Sequence, residues 1–134
     1  MIVVDTNVIA SLWVPNDMDE LAYKILGKDA DWIAPLLWRS EFRNVLAIYL
    51  RADILEFSTA LQATEEAEQL MRSKEFEVNS TRVLSLVVDS SCSSYDCEFV
   101  ALADDLDIKL VTFDKKIITE FPELAIHPKD FIKM

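Results

Sequence analysis

Two apolar spacings succeed one another along this chain, one that suits short buried strands and one that suits helices. Ile2 to Val4 is a continuous β-branched run that predicts a buried parallel strand, and it breaks off at Asp5. Thr6 to Trp13 then predicts a short helix. A second helix is expected from Asp17 or Met18 to Leu26, with Leu21, Ala22, Ile25 and Leu26 on one face and its stop near Gly27. Asp31 to Ala34 predicts another strand, and Pro35 stands at the approach to the next helix. From Leu36 to about Leu50 the repeat is helical, with Trp38, Phe42, Val45 and Tyr49 in the stripe.

The second half continues the alternation. Ser58 is a suitable N-cap for a helix reaching Met71 or Arg72, apolar at Ala60, Ala63, Ala67, Leu70 and Met71. Phe76 and Val78 suggest a short strand, and Thr81 to Val88 a helix. Ser93 or Ser94 caps a helix running through Phe99, Leu102, Ala103 and Leu106. Ile108 to Phe113 reads as a strand, Asp114 opens a helix to about Glu120, and Ala125-Ile126 forms an edge strand before Pro128. Strands that alternate with helices imply an α/β fold, a parallel sheet covered by helices on both faces. The tally is four to five short strands and about seven helices.

Composition narrows the class. A length of 134 residues suits one domain spanning 1–134, and 51% hydrophobic residues are ample for a core. A single Gly and four Pro leave little room for flexible linkers. The first apolar run has no basic lead-in and is cut short by Asp5, which argues against a signal peptide, and no segment approaches a membrane span. The expected location is therefore cytoplasmic. Cys92 and Cys97, the only cysteines, are too few for a zinc framework and read as reduced thiols. The net charge of −11 taken alone argues against nucleic-acid binding, unless acids are neutralised by bound cations or a local patch outweighs the sum.

Four carboxylates stand at structural punctuation. Asp5 and Asp114 follow strands on the same predicted edge of the sheet, where α/β folds place their ligand sites. Both could equally be N-caps, and Ser93-Ser94-Tyr95-Asp96 fits a capping box. Glu41 resists that reading. It shares a helix face with Trp38, Val45 and Ile48, so it should point inward, where a carboxylate needs a partner such as Arg39 or Arg43, a proton or a metal. Asp96 lies on the face of Phe99, Val100 and Ala103 and has the same difficulty. Two unit charges about 5 Å apart repel by roughly 3 kcal/mol at an effective dielectric near 20, so several such pairs require protons or cations. Carboxylates without His or Cys suit Mg²⁺ or Mn²⁺ and phosphoryl chemistry, with one or two ions.

These residues resemble those of a PIN domain, and in particular the ribonuclease toxins of VapBC-type toxin–antitoxin pairs. The likeness rests on Val4-Asp5-Thr6-Asn7, on Glu41, on Thr112-Phe113-Asp114, and on the segment Tyr95-Asp96-Cys97-Glu98-Phe99-Val100-Ala101-Leu102-Ala103, which is similar to the family's Tyr-Asp-Ala-x-Tyr-Leu-Ala-Leu-Ala. It implies a three-layer α/β/α PIN-like fold and an Mg²⁺- or Mn²⁺-dependent endoribonuclease. It also implies a metal-binding quartet of Asp5, Glu41, Asp96 and Asp114, with Asn7 and Thr112 as supporting polar groups. A homodimer and a VapB-like antitoxin partner are implied as well. Cys97 stands where the family favours Ala, and Lys115-Lys116 where some members carry another acid, which weakens the case for a second ion. Arg39, Arg43, Lys115 and Lys116 are the candidate contacts to RNA phosphates; ion pairing with neighbouring acids is the alternative for the two arginines. Trp13, Trp32 and Trp38 suit packing better than base stacking. The rival readings are a PIN nuclease of RNA processing without an antitoxin, and a non-catalytic acidic interaction module whose aspartates only cap helices.

Overall fold

The computed structural model describes residues 1–134. Five strands form one sheet: β1 (Ile2–Val4), β2 (Trp32–Pro35), β3 (Glu75–Phe76), β4 (Leu110–Val111) and β5 (Ala125–Ile126), in the order β3-β2-β1-β4-β5. Every pairing is parallel, with Val3 opposite both Ile33 and Leu110. The helices are α1 (Thr6–Ala10), α2 (Asp19–Lys28), α3 (Trp38–Arg51), α4 (Phe57–Leu70), α5 (Ser80–Val88), α6 (Ser94–Leu106), α7 (Lys115–Glu120) and α8 (Pro128–Phe131). Parallel strands need crossovers, and helices supply them, so the α/β architecture expected from the alternation is the one observed.

The sheet order places β1 centrally, with β2 on one side and β4 on the other. The chain therefore leaves β1 towards one half of the sheet and returns through β4 in the other, and such a reversal opens a crevice at the carboxyl ends of the strands. Val3, Val4, Ile33, Leu110 and Val111 are completely buried, as strands covered on both faces must be. The inner stripe of α6, with Cys97, Phe99, Val100 and Ala103, is buried with them.

Several boundaries differ from expectation for local reasons. α1 ends at Ala10, and the chain continues to Val14 in turns bonded to Ile9 and Ala10. α2 runs through Gly27 to Lys28. Pro35 belongs to β2: it has no N–H to offer, and the ladder to β3 is carried on by the Leu36 N–H to the Phe76 carbonyl. Glu56, not Ser58, holds the N-cap position of α4, and it makes no side-chain cap bond. β4 is shorter than Ile108 to Phe113 because Ile108 caps α6, its N–H bonded to the Ala103 carbonyl behind a left-handed Asp107. The unforeseen α8 begins at a Pro, pre-set for a first helical turn, after His127 caps it through Nδ1. Cys92 and Cys97 are free, buried thiols. No helix is long and apolar enough to cross a membrane.

The candidate active site

Each carboxylate is delivered by a different junction. Asp5 ends β1 and caps α1, its Oδ1 accepting the Thr6 N–H at 2.8 Å. Glu41 sits in the first turn of α3, Asp96 in the first turn of α6, and Asp114 at the N-cap of α7. All four line a single open cavity of about 470 Å³ together with Thr6, Asn7, Leu37, Ser40, Asn44, Val45 and Tyr95. Capping and convergence prove compatible. Asp114 Oδ1 receives the Lys116 and Ile117 N–H groups at 2.9 and 3.3 Å, and its other oxygen is not used by the cap.

Two threonines organise the acids. The fully buried Thr112 accepts the Asp114 N–H at 3.0 Å, which leaves its own proton to donate to Asp5 Oδ2 at 2.6 Å. One hydroxyl thereby ties together the carboxylate segments that follow β1 and β4. Thr6 donates its hydroxyl to Glu41 Oε1 at 2.8 Å and links α1 to α3. Neither Arg39 nor Arg43 supplies the partner anticipated for Glu41. The face assigned to Glu41 also needs correction: the buried line of α3 is Trp38, Phe42 and Leu46, and Ile48 is 58% exposed. Glu41 is half-buried on the shoulder of that stripe, where a helix can aim a carboxylate into a crevice without sealing it in the core.

The electrostatics are those of an uncompensated acid cluster. Burial pushes the Asp5 carboxyl up to about 7; the Glu41 and Asp96 charges push the same way, against the hydrogen bonds from Thr112 and Thr6. Glu41 is raised by burial and by Asp96 and Glu98, and Asp96 by burial and by Asp114. No Lys, Arg or His lines the cavity. Lys115 and Lys116 stand exposed on the first turn of α7, where Lys116 partly offsets the acid field on Asp96.

Arg39 points its charge elsewhere. Its Nε and Nη2 grip Glu75 Oε2 and Oε1 at 2.6 and 2.9 Å, and its Nη1 reaches Glu68 at 2.9 Å. The ion pair weighed for this arginine is the contact that forms. Arg43 is exposed and lies outside the cavity lining. Trp32 and Trp38 are core residues, and Trp13 packs edge-on against Phe42 at 6.1 Å.

The donor set suits a hard cation. It is all oxygen, and the buried Asn7 Oδ1 has no hydrogen-bond partner, an acceptor left open beside the acids. The side chains do not form a group of three or more acids placed to hold one ion between them. Pattern reasoning overlooked Thr6, Ser40, Asn44 and the cavity-facing place of Tyr95. Asn44 follows Glu41 by three residues and follows Ser40 by four, spacings that could have disclosed them.

A parallel α/β sheet with a carboxylate cavity at a strand-end crevice defines the class, and comparison with known families makes it specific. The family model described as "PIN domain" matches residues 2–124, and this chain belongs to that family. It is 27% identical over 137 residues to "Ribonuclease VapC3" of Pyrobaculum aerophilum, covering 92% of this chain and 97% of that protein. The fold resembles PAE2754 from the same organism, with a TM-score of 0.78, 18% identity, and 98% and 93% of the two chains covered. It also resembles FitAcB from Neisseria gonorrhoeae, with a TM-score of 0.76, 16% identity, and 96% and 99% covered.

Proposed function

We propose that this protein is an endoribonuclease in which Asp5, Glu41, Asp96 and Asp114 hold Mg²⁺ or Mn²⁺ and water hydrolyses an RNA phosphodiester. The observation that carries this reading is the convergence of four carboxylates, from four separate elements, on one cavity without a basic residue. Membership of the PIN family and the likeness to a ribonuclease support it. Folded proteins do not gather uncompensated acids for stability, because each buried charge costs several kcal/mol. A bound metal would supply Lewis-acid stabilisation of phosphate charge and lower the pKa of an attacking water. The chain's own groups do the positioning. Thr112 and the Thr6 N–H each hold one lone pair on an Asp5 oxygen, Thr6 orients Glu41 through its hydroxyl, and Asn7 Oδ1 is a neutral acceptor without a partner.

The same reading makes the protein a cytoplasmic toxin of a VapBC-type pair, homodimeric and silenced by an antitoxin, with the whole chain 1–134 as its PIN domain. Of the cations put forward for RNA phosphates, Lys115, Lys116 and Arg43 are exposed. The deciding experiment is a cleavage assay on total and defined RNAs with Mg²⁺ or Mn²⁺. Asp5→Asn and Asp96→Asn should each remove cleavage by at least about a thousandfold, the scale of losing a catalytic group, with the circular dichroism spectrum retained. Cleavage that survives in both folded variants would overturn the assignment.

A further inference from the structure

The acids account for part of the cavity lining and leave the rest unexplained. Tyr95 lies one residue before Asp96 on α6, lines the cavity and is 60% exposed, whereas Cys97, Phe99 and Val100 of the same helix are buried in the core. Facing the cavity from α3 are Leu37, Ser40, Asn44 and Val45, which together with Glu41 share one helix face at spacings of three, four and one. Ser40 and Asn44 are exposed, neutral hydrogen-bonding residues, one helical turn apart. With no cation in the lining, the cavity cannot hold a polyanion by ion pairing. Contacts there must come from metal-bound phosphate, from stacking and from neutral hydrogen bonds.

An aromatic face, two aliphatic side chains and two neutral hydrogen-bonding residues are the complement of a nucleobase: every base has a π-face to stack and a polar edge to read. We infer that these residues form, beside the acids, a subsite for one unpaired nucleobase, stacked on the Tyr95 ring and read along its edge by Ser40 and Asn44. The inference rests on the nuclease reading and specifies its substrate class. Because Tyr95 adjoins Asp96 in the chain, the base would belong to a nucleotide next to the phosphate being cut. A base within a duplex has no free face, so the preferred substrate is single-stranded, in a loop or at an end.

Free nucleosides test this without phosphate or metal. Adenosine, guanosine, cytidine and uridine are titrated into the whole protein in EDTA and followed by NMR; at least one should show upfield-shifted base protons from ring stacking. Tyr95→Ala should abolish the shift, Tyr95→Phe should retain it, and Asn44→Ala should change the ranking of the four bases. In the cleavage assay, Tyr95→Ala should lower kcat/KM on single-stranded RNA about tenfold, the size of one base–aromatic stack. Binding of no nucleoside, or an unchanged shift in folded Tyr95→Ala, overturns the inference. It is likewise overturned if Tyr95→Ala alters only the oligomeric state or the binding of a protein partner. Nucleoside binding with no RNA cleavage by the wild-type protein would defeat the nuclease reading and leave the subsite standing.

Discussion

Arg39 and Glu41 are two residues apart on α3 and belong to acidic neighbourhoods of opposite character. Arg39 meets Glu75 in a bidentate pair, adds Glu68, and shares Glu75 with the Trp38 indole N–H at 2.7 Å. The guanidinium beside Glu75 holds that carboxyl below its usual range, and the arginine is raised in turn. Glu41 turns the other way, towards Asp5, Asp96 and Asp114, with only a threonine hydroxyl for company, and its carboxyl is raised. The first cluster is complete as folded. The second is complete only with protons or a cation, and that deficit separates a site from a structural ion pair.

The contrast can be broken from either side. The largest effect should come from Asp5. Its carboxyl ionises near its ordinary value of 3.8 when unfolded and near 7 when folded, so between those pH values the folded state binds more protons. Metal-free stability should therefore fall as pH rises from 4 to 8, by up to about 4 kcal/mol for three pKa units. The group's contribution is fully present below pH 4 and lost through pH 7. Asp5→Asn should flatten this slope and stabilise the metal-free protein at pH 8 by about 2 kcal/mol, once a lost hydrogen bond is deducted. Urea titrations across pH would reveal it; parallel curves for the two proteins would show that Asp5 is not strained.

On the balanced side, Arg39→Ala should destabilise by about 2 kcal/mol, because Glu75 has a side chain only 12% exposed and would lose its counter-ion. Catalytic turnover should stay within about twofold, since Arg39 lies outside the cavity lining. A collapse of kcat in a folded Arg39→Ala protein would contradict the separation of the two clusters. The smallest effect should be that of added metal. Mn²⁺ at ten times its dissociation constant stabilises by about 1.4 kcal/mol by mass action, raising the melting temperature by a few degrees. Asp96→Asn should blunt the shift and Arg39→Ala should leave it intact; equal shifts in all three proteins would place the metal elsewhere.

Most elements were legible because period and punctuation agreed. The unbroken apolar runs of β1 and β2, the stripe of α3 and the Ser93 cap of α6 all follow from local chemistry. Boundaries failed where a neighbour took a residue over, as when α6 claimed Ile108 for its cap and β3 drew Pro35 into the sheet. At the site, the four acids stood out in the sequence through their places beside strands and helix starts, the apolar neighbours of Glu41 and the family resemblance. Of their hydroxyl partners, Thr112 came only through the family resemblance and Thr6 did not stand out, since each looks like any β-branched residue beside a strand. Which arginine was free was equally hidden: Arg39 and Arg43 are one turn apart, and only the approach of Glu75 and Glu68 from other elements commits Arg39.

The sequence by itself therefore determined the alternation of strands and helices, the burial of β1 and the placing of Asp5, Asp96 and Asp114 at the starts of three helices, because spacing and capping act within a few residues. Tertiary structure alone decided that β1 lies between β2 and β4, so that acids up to 109 positions apart meet in one cavity while Thr112 donates to Asp5. The physical reason is range. Periodicity and caps are written in neighbouring residues, whereas the charge balance of a cavity depends on which distant side chains arrive there and which do not.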